Sequence, residues 1–121
     1  MAAPRIMIVE DEYLIRLLLE DMLGELGFVV AAVAGSLADG QAKAESESFD
    51  VAILDVNIDG RQVFPIADAL RRRGLPFVFV TGYGATGLPE AYRGSPTLQK
   101  PMHMKDLKAA LERALGAGPG G

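Results

Sequence analysis

The sequence predicts one α/β domain whose parallel sheet is covered by helices on both faces, and three observations support this fold class. Short apolar runs, such as residues 6–9, 51–54 and 77–80, alternate with segments whose apolar residues recur at helical spacing. These runs do not alternate between apolar and polar residues, which is typical of strands buried on both faces. A chain of 121 residues, half of them hydrophobic, is long enough for one core and too short for two.

Five strands and four helices are expected in chain order. The strands are predicted at residues 6–9, 28–34, 51–54, 77–80 and 97–99, and the helices at 13–26, 36–45, 63–73 and 104–115. The first helix carries apolar residues at positions 14, 15, 18, 22 and 26. Ser36 with Asp39 three residues later resembles a capping box, and Gly74 and Pro76 end the third helix. Between Thr81 and Lys100 the chain has four Gly and two Pro, so the fourth helix of a regular alternation should be stunted or absent.

Strands and helices of this number fit a flavodoxin-like, doubly wound sheet with strand order 2-1-3-4-5. Ligands of such sheets bind at the carboxyl ends of strands 1 and 3. Residues 1–115 are expected to form this domain, and residues 116–121, with four Gly and one Pro, a flexible tail.

Composition excludes several classes of function. A net charge of −4 and a pI near 4.9 argue against a nucleic-acid-binding surface. Without cysteine, neither disulfide nor thiolate chemistry is available. The longest uncharged stretch contains glycine and proline, so we expect no membrane span and a cytoplasmic location.

Residues 53–60, I-L-D-V-N-I-D-G, allow two interpretations. Asp55, Asn57, Asp59 and Gly60 match the opening of an EF-hand calcium loop. The bidentate glutamate that completes such a loop would be Ile66, and a strand rather than a helix precedes the segment. A haloacid-dehalogenase phosphatase would need a second acid at position 57. We therefore expect a buried strand that ends in a reactive carboxylate, Asp55.

Glu10 and Asp11 end strand 1 and should face Asp55 across the crevice, while Glu12 should cap the first helix and face water. Carboxylates crowded together repel one another and require a cation or a raised pKa. Few oxygen ligands with room for water and phosphate favour Mg²⁺ over Ca²⁺. We further expect Asp11→Asn to keep or raise the stability of the metal-free protein by relieving repulsion.

Two more strand ends carry polar side chains. Thr81 ends strand 4 before glycines whose amides can approach an anion, and Lys100 ends strand 5 before Pro101. A threonine before glycine is usually a turn residue, and a lysine at a strand end is usually solvated. Together with the acids, however, they place an acid pair, an acid, a hydroxyl and a lysine at one sheet edge.

Over residues 5–115 this order of motifs resembles the receiver domain of two-component response regulators. The resemblance implies a phosphoacceptor, Asp55, with Lys100 binding the phosphate and Thr81 acting as the switch hydroxyl. It also implies a Mg²⁺ site formed by Glu10, Asp11, Asp55 and the backbone carbonyl of Asn57.

Residues 76–84, P-F-V-F-V-T-G-Y-G, resemble the FATGUY branch, single-domain receivers typical of alphaproteobacteria. The switch would then comprise Thr81, Gly82, Tyr83 and Gly84. Most receivers carry an aromatic residue three positions before the lysine, where this chain has Thr97. We therefore expect the switch to run through residues 82–94 instead.

The resemblance implies a phosphoacceptor signalling protein that catalyses only its own phosphorylation and dephosphorylation. Its partners would be a histidine kinase or histidine phosphotransfer protein and a downstream protein, with no nucleic-acid or membrane partner. Two alternatives stay open: a pseudo-receiver that binds partners without phosphorylation, and a true phosphatase.

Overall fold

The computed structural model describes residues 3–82 and 87–117. The strands are β1 (Arg5–Val9), β2 (Val29–Ala34), β3 (Val51–Asp55), β4 (Asn57–Ile58), β5 (Arg61–Gln62), β6 (Phe77–Thr81) and β7 (Thr97–Gln99). The α-helices are α1 (Tyr13–Glu25), α2 (Leu37–Ser46), α3 (Phe64–Arg73) and α4 (Met104–Ala117). Strands β4 and β5 form a separate antiparallel hairpin.

The main sheet is parallel and has the order β2-β1-β3-β6-β7. This confirms the predicted order 2-1-3-4-5, because the hairpin only adds two strands to the numbering. Val9 is in register with Leu54, and Asp55 with Val80, so the strands end side by side. The residues that follow these ends therefore share one edge of the sheet.

Alternate residues of each central strand face opposite layers of helices. Met7, Ala52 and Phe77 belong to the core cluster that contains the buried residues of α3. Ile6 and Val51 belong to the cluster that contains the buried residues of α1 and α4. Each strand is apolar on both faces because each face is covered.

Helix α1 occurs where it is predicted, but two of its expected core positions are exposed. The buried residues are Leu19, Met22 and Leu23, whereas Leu14 is 76% exposed and Leu18 45%. The helix is apolar around most of its circumference, so helical spacing alone does not define which face packs on the sheet.

No α-helix forms within residues 87–96, as the glycine and proline content predicts. A 3-10 turn, Glu90–Tyr92, lies in this stretch. Its Tyr92 is 4% exposed and covers the sheet face with its ring. The ring centroid lies 5.5 Å from that of Phe64, 5.9 Å from Phe77 and 5.5 Å from Phe79. One aromatic side chain thus takes the place of a covering helix.

Helix α3 holds this turn from the other side. The Tyr92 hydroxyl donates to the carboxylate of Asp68. The Arg71 guanidinium lies 4.0 Å from the Tyr92 ring centroid and donates to the Ala91 carbonyl at 2.9 Å. Burial and the bond to Asp68 raise the pKa of Tyr92 to about 12, so the hydroxyl stays protonated.

The last helix extends through Gly116 and Ala117, two residues that are predicted to belong to the tail. The remaining tail, residues 118–121, lies outside the described residues. Within the described ranges, no helix combines the length and hydropathy needed to cross a membrane.

Tyr92→Ala should lower the free energy of unfolding by about 3–5 kcal/mol, because it leaves a cavity among three aromatic rings. Tyr92→Phe should cost about 1 kcal/mol, the usual contribution of one hydrogen bond. Chemical denaturation measures both. The control is Tyr13→Ala, whose side chain is largely exposed and whose loss should change stability by less than about 0.5 kcal/mol. Equal effects at positions 13 and 92 would contradict the packing role.

Candidate functional site

The ends of four parallel strands bring polar side chains to one edge of the sheet. Glu10 follows β1, Asp55 ends β3, Thr81 ends β6 and Lys100 follows β7. Glu10 is 1% exposed, Asp55 6% and Thr81 5%. Since polar groups at such depth require partners, the bonds among them define the site.

Lys100 joins two of the acids. Its Nζ lies 2.9 Å from Asp55 Oδ2 and 3.6 Å from Glu10 Oε2. Burial acts against the charged lysine, but the bond to Asp55 and the charges of both acids outweigh it and raise the pKa of Lys100. The lysine is therefore a positive charge held beside Asp55. The Lys100–Pro101 peptide bond is cis.

Asp11 is held by the β4–β5 hairpin. The hairpin turn is Asp59-Gly60, with φ of 50° and 78°, as a type I′ turn requires. The Asp59 amide donates to Asp11 Oδ2 at 2.8 Å. Burial opposes ionisation of Asp11, but the bonds from Asp59 and from the Glu10 side chain prevail and lower its pKa.

The lowered pKa of Asp11 argues against the expected effect of Asp11→Asn, which stays a prediction. The fold favours the charged form of Asp11, so neutralising it removes a favourable interaction instead of relieving repulsion. Of Glu10 and Asp11, Glu10 is the acid whose pKa is raised. Burial, and then the hydrogen bond and charge of Asp55, raise the pKa of Glu10 to about 8.

Glu10, Asp11 and Asp55 fit a divalent cation. One oxygen of each carboxylate lies within 4.8 Å of the others. Hard oxygen ligands are those that Mg²⁺ prefers, and a cation here would favour the ionised form of Glu10, whose pKa burial and then Asp55 raise. A cavity of about 280 Å³, lined by Asp11, Asp55, Asn57 and Lys100 among others, opens beside them.

A second cavity, of about 300 Å³, lies on the hydroxyl side of Asp55. Its lining includes Asp55, Gln62, Thr81 and Gly87. Gly82 lines both cavities and is exposed at the rim between them. Asp55 therefore lines two cavities, one beside the acid Asp11 and one beside the Thr81 hydroxyl.

The structure brings together five of the predicted site residues: Glu10, Asp11, Asp55, Thr81 and Lys100. Asn57 lies beside them, and its backbone N–H donates to Asp55 Oδ1 at 3.1 Å. Tyr83 and Gly84, the other expected switch residues, lie outside the described residues. The Asp59 amide is a site group that the sequence analysis missed, although an Asp-Gly pair is a strong signal for a tight hairpin.

Glu10→Gln should change how stability depends on pH in metal-free buffer. The folded state raises the pKa of Glu10 from 4.5 to about 8, so it binds a proton more tightly than the unfolded state. Wild-type stability is then lost as pH rises from about 4.5 to about 8. The variant should match wild type near pH 4.5 and exceed it by on the order of a few kcal/mol above pH 8.

Denaturation with a chelator present, at several pH values, measures this difference. Glu112→Gln, an exposed acid on α4, is the control and should show a difference that does not vary with pH. A flat difference for Glu10→Gln as well would contradict the buried, protonated Glu10.

Comparison with known proteins places the geometry in a family. The pattern for the response regulator receiver domain matches residues 6–112. The transcriptional regulatory protein PdtaR of Mycobacterium tuberculosis is 33% identical over 115 residues, which cover 92% of this chain. This chain spans 56% of the length of PdtaR.

Two kinds of solved structure share the fold. The solution structure of SdrG from Sphingomonas melonis Fr1 has a TM-score of 0.83 and 40% identity, covering 95% of this chain and 98% of that one. A BeF3-activated conformation of SdrG is also similar, with a TM-score of 0.80. The receiver domain of PhyR from Erythrobacter litoralis has a TM-score of 0.82 and 27% identity, covering 98% of this chain and 94% of that one.

The order of the sheet, the acids, hydroxyl and lysine at its carboxyl edge, and the family match over most of the chain lead to one conclusion. This protein belongs to the response regulator receiver domain family.

Proposed function

We propose that the protein is a stand-alone receiver that accepts a phosphoryl group on Asp55 from a phosphohistidine of a kinase or phosphotransfer protein. The observation that carries this proposal is the 2.9 Å contact between Asp55 Oδ2 and Lys100 Nζ, beside two further acids. The similarity to SdrG, at 40% identity over 95% of this chain, supports the receiver as the unit that accepts the phosphoryl group. We place its action in the cytoplasm.

Asp55 acts as the nucleophile. A carboxylate oxygen of Asp55 attacks the phosphorus, the bond between phosphorus and histidine nitrogen breaks, and the histidine leaves with its electron pair. Lys100 compensates the charge of the phosphoryl oxygens, and the Thr81 hydroxyl donates to one of them. Water later attacks the phosphorus of the acyl phosphate and releases inorganic phosphate, which restores the Asp55 carboxylate.

The acidic side of the site would hold Mg²⁺ through the carboxylates of Glu10, Asp11 and Asp55 and the backbone carbonyl of Asn57. When bound, the ion supplies positive charge that stabilises the charge on the transferred phosphoryl group. The Asp59 amide keeps Asp11 ionised and oriented for this role. The single positive charge of Lys100 would balance only part of the negative charge that the acids carry when all three are ionised.

The signal leaves the site through Thr81, Gly82, Tyr83 and Gly84. Part of the 82–94 segment is unsuited to move, because Leu88 is 3% exposed and Tyr92 is bound to α3. We therefore restrict the proposed rearrangement to residues 82–87. Thr97 has no ring, and its hydroxyl donates to the Ser95 carbonyl at 3.0 Å.

The protein that donates the phosphoryl group docks on α1. Exposed apolar side chains, Tyr13, Leu14, Leu17 and Leu18, follow directly after the acidic residues. A contiguous apolar surface of this kind marks a contact site for another protein. When the phosphohistidine of the donor enters the cavity beside Asp55, the rest of the donor domain would cover this apolar surface of α1.

Asp55→Asn should abolish labelling by a small phosphodonor such as acetyl phosphate in the presence of Mg²⁺. The amide keeps the shape of the side chain but is not a nucleophile, so the fold should persist by circular dichroism. Asp106→Asn, an exposed substitution on α4, is the control and should label like wild type.

The outcomes separate the alternatives. Equal labelling of Asp55→Asn would contradict the assignment of the phosphoacceptor. An unlabelled wild type that still binds partners would establish a pseudo-receiver, and many turnovers on a small phosphoester would establish a phosphatase.

The double substitution Leu14→Ser and Leu18→Ser should slow transfer from a phosphorylated histidine phosphotransfer protein that labels the wild type. We expect a loss of about tenfold or more, since truncation of central contact residues costs over 1 kcal/mol each. Labelling by acetyl phosphate should not change. Val29→Ser, with a similarly exposed apolar residue on β2, is the matched control. If transfer from the phosphotransfer protein and labelling by acetyl phosphate slow equally, α1 supports the site and does not contact the donor protein.

A further inference from the structure

Arg16 connects α1 to the backbone of the acidic residues. Its Nη1 donates to the main-chain carbonyl of Glu10 at 3.1 Å. Within residues 3–82 and 87–117, no carboxylate forms an ion pair with the Arg16 guanidinium within 4.0 Å. The arginine therefore acts on the backbone by hydrogen bonding and does not neutralise an acid.

Gly35 makes room for this guanidinium. A Cβ atom at position 35 would lie 2.2 Å from Arg16 Nη1 and 3.4 Å from its Cζ. Gly35 is not among the residues with positive φ, so its backbone tolerates other residues. Space for the guanidinium, and not backbone conformation, is what requires glycine here.

The Glu10 peptide groups are consequently held on both sides. The Glu10 amide donates to the Ala34 carbonyl at 3.0 Å, and the Glu10 carbonyl accepts from Arg16. Ala34 ends β2 and Gly35 follows it, so the last residue of β2 contacts the Glu10 amide and the next residue leaves space for Arg16. These bonds fix the backbone from which the Glu10 and Asp11 carboxylates project.

We propose that Arg16 and Gly35 are a positioning pair that orients Glu10 and Asp11 for divalent cation binding, a role that rests on the proposed function. Loss of a group that orients the ligands of an ion typically lowers its affinity by about ten- to a hundredfold. The guanidinium suits this task because its several N–H donors are held in a rigid plane, so the Nη1 end can occupy the space beside Gly35 and still donate to the Glu10 carbonyl.

The pair predicts that two different substitutions have the same effect. Arg16→Met removes the donor and keeps most of the apolar stem. Gly35→Ala adds a methyl group that displaces the end of a flexible side chain, so the fold should survive while the bond to Glu10 is lost. Each variant should raise the half-saturating Mg²⁺ concentration by about tenfold.

The experiment is a titration of thermal stability with Mg²⁺, because an ion that binds the native state raises its melting temperature. Wild type, both single variants and the double variant are compared, together with the rate of labelling by acetyl phosphate. Arg72→Met, which removes an exposed arginine of α3, is the charge-matched control and should titrate like wild type. The double variant should resemble each single variant, since either change alone removes the contact.

Single variants that titrate like wild type would overturn the positioning pair while leaving the proposed function intact. A double variant weakened by the product of the single effects, about a hundredfold, would show that the two residues act independently and would also overturn the pair. A wild type whose melting temperature does not respond to Mg²⁺ would overturn the proposed cation site, and the role of the pair with it.

Discussion

Crowding of negative charge at the carboxyl edge of the sheet is the constraint on which the rest of the site depends. Parallel pairing ends β1 and β3 side by side, so Glu10, Asp11 and Asp55 come within a few ångströms of one another. Three features offset this crowding: the Lys100 ammonium, the Asp59 amide of the hairpin, and the raised pKa of Glu10. The compensation is partial, because a single ammonium cannot balance the charge of all three acids when they are ionised.

Incomplete compensation makes the site responsive. On the proposed function, a cation added to the acidic side and a phosphoryl group added to Asp55 carry opposite charges, so each favours the binding of the other. Lys100 lies between the proposed cation site and the proposed phosphorylation site, in contact with both Glu10 and Asp55. A site whose charges were already balanced would gain little from either event.

Thr81 ends a buried strand, and the part of the chain described next after Gly82 is firmly packed. Behind it, β6 is buried on both faces and aligned with Asp55 through Val80. Beyond it, Tyr92 is bound by α3 and by three aromatic rings, so residues 88–95 form a firm anchor. On the proposed function, the packing of residues 88–95 favours a rearrangement that does not extend into this anchor. Such a change would not require the aromatic residue that most receivers carry at the position of Thr97.

The sequence by itself determined the alternation of strands and helices, the strand order and the residues at the sheet edge. It could do so because strand periodicity, capping residues such as Ser36 and the shared edge of parallel strands are local or topological properties. Tertiary structure alone decided which face of α1 is buried, since that helix is apolar almost all round. It also decided that Glu10 and not Asp11 bears the raised pKa, and that Tyr92 replaces a helix. Desolvation and packing depend on the depth of each atom and on neighbours distant in the chain, which no local pattern encodes.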